Sequence, residues 1–481
     1  MARYKQPKSI VPNVPADEFF KNFVSRRRPA IIKGLLDDET FKARQWTDLS
    51  RLAAKAGDSS VLVEPMHPES RQFGTDVERI SMSFREFLKS LKDDDGPHHY
   101  LTTQYAEQDM DALTVLPPPT DALAADFPFV PRLMGNLLLQ QVNLWVGRSK
   151  NGSTSGLHHD FHDNLYCLLK GKKRFVLFPP AEYKHLYPYG KLDALHPNGL
   201  ISYTDAPVRA DGLPLRLALK TRVKALEEQL SAPAKGKGKG RQDTKAREAL
   251  LEAHEQAMDE LAQYTLDNAD DIGDDEEVDD FDALMAGMGG EDDFDAMFGA
   301  DGAEDSDPVG EDDVSSGQDD DDDSEDDEVE EWTGLTPLDD EPSSFSRIPT
   351  ALVHQHLLLP TTAAPPKDVS ITTSFPDFNK VGEPLVVELS AGEMLYLPAS
   401  WWHEVTSSSA GTGEDAVHMA FNYWFYPPDN LGSFEQPYAD TLVWDYLRHQ
   451  AAAREKKSQS SGKNKRKADG DEPKAKKKSK Q

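Results

Sequence analysis

Between Leu213 and Asp340 the chain changes character. Two segments with helical periodicity, LRLALKTRVKALEEQL and KAREALLEAHEQAMDELAQ, flank the flexible AKGKGKGRQ. The remainder is rich in Asp and Glu, with Asp319 to Asp323 in unbroken sequence. Such a tract buries too little apolar surface to offset its ordering entropy. Residues 213–341 are therefore expected to form an insert, first helical and then acidic, disordered and of low complexity. Any core must be assembled from the two stretches on either side. Most of the formal net charge of −32 belongs to the insert and describes no folded part of the molecule. Within it DDFDALM (279–285) recurs as DDFDAMF (292–298), which reads either as filler or as a pair of docking peptides for a basic partner.

The flanks carry different periodicities. From Pro15 to about Leu91, ADEFFKNFVSRR, FKARQWTDLSRLAAKAG and SFREFLKSLKDD space apolar residues three and four apart, as helices do, and RPAIIKGLL between the first two reads as a buried strand. Strand-like runs then dominate: LLLQQVNLWVG, LHHDFHDNLYCLL, KRFVLFPP, PLVVELS, MLYLPASWWHEVTSS and AVHMAFNYWFY, divided by Gly, Pro and Ser turns. This mainly β pattern fits a barrel or sandwich. The segment YADTLVWDYLRHQAAAREKK predicts a C-terminal helix, assigned to 431–457. Its apolar face of Leu442, Trp444, Tyr446 and Leu447 suits either the core or a homodimer contact.

Several function classes are excluded by what the chain lacks. No stretch approaches the roughly 20 apolar residues of a membrane span, and the start MARYKQPKSIVPNVPADEFF holds no secretory signal, so a soluble intracellular protein without a membrane partner is expected. Cys167 is the only cysteine, which rules out intrachain disulfides and zinc modules built on several thiolates. The basic tail, 458–481, carries two Lys/Arg clusters with a polar spacer, resembling a two-part nuclear import signal; it points to the nucleus, the cytoplasm or both. The acid-rich sequence makes direct nucleic-acid binding unattractive.

HHDFHD, residues 158–163, sets three histidines and two aspartates in six positions. Read as a strand, it turns 158, 160 and 162 to one face, which leaves His158 and Asp160 as a His-x-Asp pair. With a second imidazole from another strand, these form the two-histidine, one-carboxylate set by which non-haem Fe(II) oxygenases hold iron with open positions. His403, in GEMLYLPASWWHEV, supplies it, with Trp401 and Trp402 placed to wall the pocket. An α-keto acid cosubstrate would need a cation for its distal carboxylate, and the hairpin KGKKR, 170–174, offers one.

Together, HHDFHDNLYCLLKGKKRFVLFPP, GEMLYLPASWWHEV and AFNYWFY resemble the JmjC, cupin-like family of 2-oxoglutarate dioxygenases. The likeness covers about residues 15–210 and 342–447. It implies a double-stranded β-helix (jelly-roll, or cupin) barrel formed by 136–212 and 342–430, with residues 1–135 as an N-terminal region of the same catalytic unit. It also implies Fe(II) on His158, Asp160 and His403, and the distal carboxylate of 2-oxoglutarate on Lys173 supported by Tyr100. Asn164 and Asn422 fall where polar side chains line the pocket, and Ser155 stands where relatives often carry threonine. HDNLYCLLKGKKRF and the compact start are similar to the small lysyl hydroxylase branch, for which peptidase activity has also been suggested. The expected function is thus hydroxylation of a side chain, lysyl first, on a basic protein substrate at the expense of molecular oxygen. Demethylation of histone lysine and a non-catalytic acidic nuclear scaffold or chaperone are the alternatives.

Overall fold

The computed structural model describes residues 4–68, 72–73, 77–92, 98–104, 116–149, 152–232, 241–267, 342–411 and 416–450. Most of the acidic sequence with its DDFDA repeat, the link 233–240 and the basic tail lie outside them. Packing divides the chain into Met1–Leu261 with Asp340–Gln481, and Ala262–Asp339. Every described strand belongs to the first unit. Among the described residues no helix is long and apolar enough to cross a membrane.

Among the described residues sixteen strands run in chain order: β1 Lys8–Ile10, β2 Ala30–Ile32, β3 Ser60–Pro65, β4 Gln72–Phe73, β5 Ile80–Ser83, β6 His99–Leu101, β7 Leu139–Gly147, β8 Ser153–Ser155, β9 Asp163–Lys170, β10 Lys172–Phe178, β11 Leu192–Leu195, β12 Ile201–Tyr203, β13 Leu385–Ser390, β14 Met394–Leu397, β15 Trp402–Ser408 and β16 His418–Phe425. They form a nine-stranded sheet, β1-β2-β14-β9-β16-β7-β6-β3-β5, a five-stranded sheet, β13-β10-β15-β8-β4, and the small pair β11-β12. Strands from before and after the insert alternate through β2-β14-β9-β16-β7 of the large sheet and β13-β10-β15-β8 of the smaller, which closes a double-stranded β-helix from the two separated stretches.

The continuous apolar runs are explained by burial on both faces, with successive side chains pointing opposite ways. On β9, Leu165, Cys167 and Leu169 face the main core while Tyr166 and Leu168 face the barrel interior. On β16, Met419, Phe421, Tyr423 and Phe425 face the main core and Ala420 the interior. On β10, Phe175 and Leu177 point inward, and Val176 and Phe178 outward to a third cluster. The outer face of the large sheet is covered by the N-terminal helices through Phe19, Phe23, Trp46, Leu52, Phe84 and Phe87. Ile348, Leu352, Val353, Phe375 and Phe378 cover the smaller sheet.

Local chemistry sets the element ends. The helix Phe84–Ser90 starts at Ser83, whose hydroxyl accepts from Glu86 N while the Glu86 carboxylate accepts from Ser83 N, a reciprocal cap. Between β9 and β10 the chain reverses at Gly171 with φ +89°, where a β-carbon would stand 2.6 Å from the Ser408 carbonyl oxygen, so only glycine fits. Helices Leu215–Ser231 and Arg241–Asp267 meet side by side, with Arg222 near Glu260 at 3.7 Å and Glu227 near His254 at 3.5 Å, so they run antiparallel.

Two local expectations differ from the structure. Helix at the C-terminal end spans 441–450 of the described residues, and 431–440 is irregular. Pro437 cannot donate a backbone hydrogen bond, and the Asp440 carboxylate caps the start by accepting from Val443 N at 3.2 Å. Val443, Trp444 and Leu447 pack into the main core, Trp444 stacked on Tyr438 at 3.9 Å. The second difference concerns 156–162, which is not strand. Gly156 leaves β8, and only an isolated bridge at His158 interrupts the loop before β9.

Candidate metal centre

Though it lies in a loop, the backbone at His158 is held from two sides. Its N–H donates to the His403 carbonyl at 3.0 Å and its carbonyl accepts from His403 N at 2.7 Å. On the other side His159 N donates to Ser344 O at 3.0 Å and Ser346 N to Leu157 O at 2.8 Å. The bridge to β15 sets the two imidazoles next to each other, with ring centroids 4.3 Å apart. The bend after His158 brings in Asp160, whose Oδ2 is 3.6 Å from His403 Nε2. One ligand atom from each of His158, Asp160 and His403 lies within 4.8 Å of the others.

The donor set is prepared for a cation. His158 Nδ1 lies 2.8 Å from the Gly156 carbonyl and His403 Nδ1 2.8 Å from the Trp401 carbonyl. A carbonyl only accepts, so each Nδ1 carries a proton, and in the neutral tautomer this fixes the lone pair sits on Nε2, free for a metal. Lost hydration, and secondly His403, push His158 down to about 4, so the ring is neutral at physiological pH. Two imidazoles and one carboxylate suit a divalent first-row ion such as Fe(II) and leave coordination positions open.

The remaining residues of HHDFHD serve the fold. His159 is buried and its Nε2 lies 2.8 Å from the Tyr203 hydroxyl, facing away from the donors. His162 stacks on Trp424 at 5.6 Å. Asp163 is fully buried and takes a two-pronged bond from Arg27 at 2.7 and 2.5 Å, one from the Tyr396 hydroxyl at 2.7 Å and one from Ala399 N at 2.9 Å. It pins the loop to β14.

Deeper in the barrel Lys173 is 2% exposed. It faces inward from β10, opposite Ser407 of β15. Its Nζ donates to the Tyr100 hydroxyl at 3.0 Å and to Ser407 Oγ at 2.5 Å. Among the described residues no carboxylate pairs with it, and burial pushes its ammonium down to about 7. Burial has the opposite effect on Tyr100, raising its phenol well above the ordinary value, so it keeps its proton. A buried cation with hydroxyl partners is a receptor for a carboxylate.

The other expected pocket residues brace the walls or turn away from them. Asn422 donates to Asn164 Oδ1 at 2.9 Å and accepts from the Trp145 indole at 2.8 Å, so the asparagines hold each other and one ring of the wall. Ser155 is tied to β15, its hydroxyl accepting from Val405 N at 3.2 Å. Trp402 does not wall the site: one step from His403 on a strand, it points to the outer cluster, its ring 4.8 Å from His159. Trp401 packs at the edge of the interior cluster and donates to the Arg27 carbonyl at 3.0 Å.

Three neighbours were not anticipated. Phe345 lies flat on His158, centroids 4.9 Å apart and planes 15° apart, three residues after the described chain resumes at Pro342. Nothing in the local sequence marks it. Ser407 and His418 share the inward frames of His403 and Asn422, so counting by twos along β15 and β16 would have found both.

A family profile described as a cupin-like domain matches residues 16–431. A JmjC domain-containing protein 4 from Schizosaccharomyces pombe is 38% identical over 446 residues, 90% of this chain and 87% of that one. The chain belongs to the cupin-like JmjC family. Shorter matches join this JmjC protein to others. A bifunctional peptidase and (3S)-lysyl hydroxylase from Homo sapiens is 26% identical over 36% of this chain and 53% of its own length. The lysine-specific demethylase JMJ30 from Arabidopsis thaliana is 28% identical over 31% of this chain and 32% of its own. The family's metal-dependent oxygenase chemistry and the convergence of His158, Asp160 and His403 agree.

Proposed function

We propose that this JmjC protein is an Fe(II)- and 2-oxoglutarate-dependent hydroxylase of a protein side chain, lysyl first. The observation that carries the reading is the pairing of a complete His-Asp-His donor set with a buried lysine that has no carboxylate partner among the described residues, both inside one barrel. His158, Asp160 and His403 would hold the iron. Bound Fe(II) would activate molecular oxygen, the oxidant, one atom of which converts C–H to C–OH while the other enters 2-oxoglutarate as it leaves as succinate and carbon dioxide.

The chain's own residues position and shield. Gly156 and Trp401 carbonyls fix the imidazoles, and Phe345 braces His158. Lys173, Tyr100 and Ser407 receive the distal carboxylate. Tyr100, Trp145, Trp424 and His162 form a line of rings with successive centroids 6.0, 6.5 and 5.6 Å apart, an apolar wall that limits water.

A basic protein is the substrate class we favour. The acid-rich sequence before Pro342 is complementary in charge to a Lys-rich partner and would raise its rate of encounter with the chain. The basic tail supports a nuclear as well as a cytoplasmic location. Demethylation is the second reading, favoured by the lysine-specific demethylases among the relatives. A purely non-catalytic scaffold would have no use for the donor set.

The deciding experiment incubates the full chain with Fe(II), 2-oxoglutarate and candidate basic proteins and follows peptides by mass spectrometry. Gain of one oxygen on a lysyl side chain is expected. Loss of a methyl group selects demethylation, chain cleavage selects peptidase activity, and no cosubstrate turnover with any protein refutes the oxygenase reading.

A further inference from the structure

His418 is 1% exposed, and among the described residues neither of its ring nitrogens has a hydrogen-bond partner. An unpaired imidazole inside a barrel is costly, and such groups in native folds generally answer to something that binds. Its surroundings indicate what. The rungs Tyr100–Gly147 and Gly147–His418 place the three residues side by side across β6, β7 and β16. The ring of His418 meets that of Tyr100 edge to face, centroids 5.3 Å apart. Glycine at 147 makes the meeting possible: a β-carbon there would stand 2.8 Å from each ring. Lys173 approaches from the opposite sheet, its Nζ bonded to the Tyr100 hydroxyl and 5.2 Å from that ring's centroid. Burial and then the Lys173 charge hold His418 well below its ordinary value, so the ring is neutral and keeps one N–H to donate.

We infer that His418 is a specificity-determining residue of the cosubstrate pocket, donating its ring N–H to the distal carboxylate of a five-carbon 2-oxo diacid held by Lys173, Tyr100 and Ser407. This rests on the oxygenase reading above. The nine-stranded sheet then contributes Tyr100 and His418, the five-stranded sheet Lys173 and Ser407, and the carboxylate is clasped from both. The fourth donor favours a 2-oxo diacid over a 2-oxo monoacid of equal length.

The test measures equilibrium binding of 2-oxoglutarate and of 2-oxovalerate, which lacks the distal carboxylate, to the full chain loaded with redox-silent Mn(II). His418→Leu is expected to weaken 2-oxoglutarate binding about tenfold, roughly 1.4 kcal/mol, and to leave 2-oxovalerate and Mn(II) affinity unchanged. His418→Gln, which retains an N–H, should recover most of the loss. Equal 2-oxoglutarate affinity in His418→Leu overturns the inference, as does equal weakening of both acids, the mark of a packing role. If wild type binds neither acid, the oxygenase reading falls and takes this inference with it. Should His418→Leu not fold, wild-type protein with 15N-labelled histidine and Zn(II) decides, the signal being assigned by its loss in His418→Gln. The His418 ring N–H must shift with 2-oxoglutarate and stay in place with 2-oxovalerate; any other pattern overturns the assignment.

Discussion

Lys173→Met tests the pocket through two pH dependences of opposite sign. In the folded chain burial pushes the lysine to about 7, whereas an unfolded lysine titrates at its ordinary value of 10.5. The unfolded state therefore binds more protons between these values, and stability rises with pH across the window. From pH 7 to pH 9 the contribution of this one group is about 2 kcal/mol, from the slope of roughly 1.4 kcal/mol per unit reduced by partial titration at the lower end. The facing groups do not titrate there, because Tyr100 is held protonated and His418 neutral. Cosubstrate binding runs the other way. A carboxylate needs the ammonium form, so 2-oxoglutarate affinity should fall as pH rises above about 7. Urea unfolding of metal-free wild type and Lys173→Met at both pH values, with the difference between the chains taken at each, isolates the lysine. At pH 7 the variant should also lose at least about thirtyfold in 2-oxoglutarate affinity, since truncating one partner of a buried charged pair costs about 2–5 kcal/mol. Parallel pH profiles for the two chains, or unchanged affinity, would refute the argument.

Asp160→Ala leaves two metal donors and should abolish 2-oxoglutarate turnover while keeping the fold, as read by cosubstrate decay and circular dichroism. Phe345→Ala removes the ring braced on His158 and is expected to weaken Fe(II) or Mn(II) affinity about tenfold, by analogy with outer partners of metal ligands; titration with Mn(II) checks it, and unchanged affinity would show that the stacking is incidental. Arg27→Leu leaves the Asp163 carboxylate buried without its cation and should destabilise the chain by about 3–5 kcal/mol, visible as a lowered urea midpoint. Deleting 266–341 should lower turnover on a basic protein but spare uncoupled cosubstrate decay, and the gap should close at high salt.

Much of this architecture was legible because a barrel buried on both faces writes its period into the chain. The runs in β9, β10, β14 and β16 are continuous apolar segments of strand length, and the acidic sequence between them announced that the halves had to be joined across a gap. The metal donors were legible by residue type and not by the secondary structure invoked for them. His158 and Asp160 converge in a bent loop, where the bridge to His403 replaces the regular ladder that alternation presumes. The same period-of-two rule, applied to β15, sends Trp402 outward because His403 points inward, and it would have supplied Ser407. Lys173 could be suspected from the hairpin, but its burial depends on Ser407 and Tyr100 arriving from β15 and β6. Phe345 lies beyond local reasoning altogether. Its contact with His158 exists because the returning chain pairs with 157–159 on the side that β15 leaves free, a consequence of closing the barrel across the insert. Period and composition thus reveal which faces are buried, whereas the partner of each buried polar group is decided by closure, so the pocket could be completed only once the strands were joined.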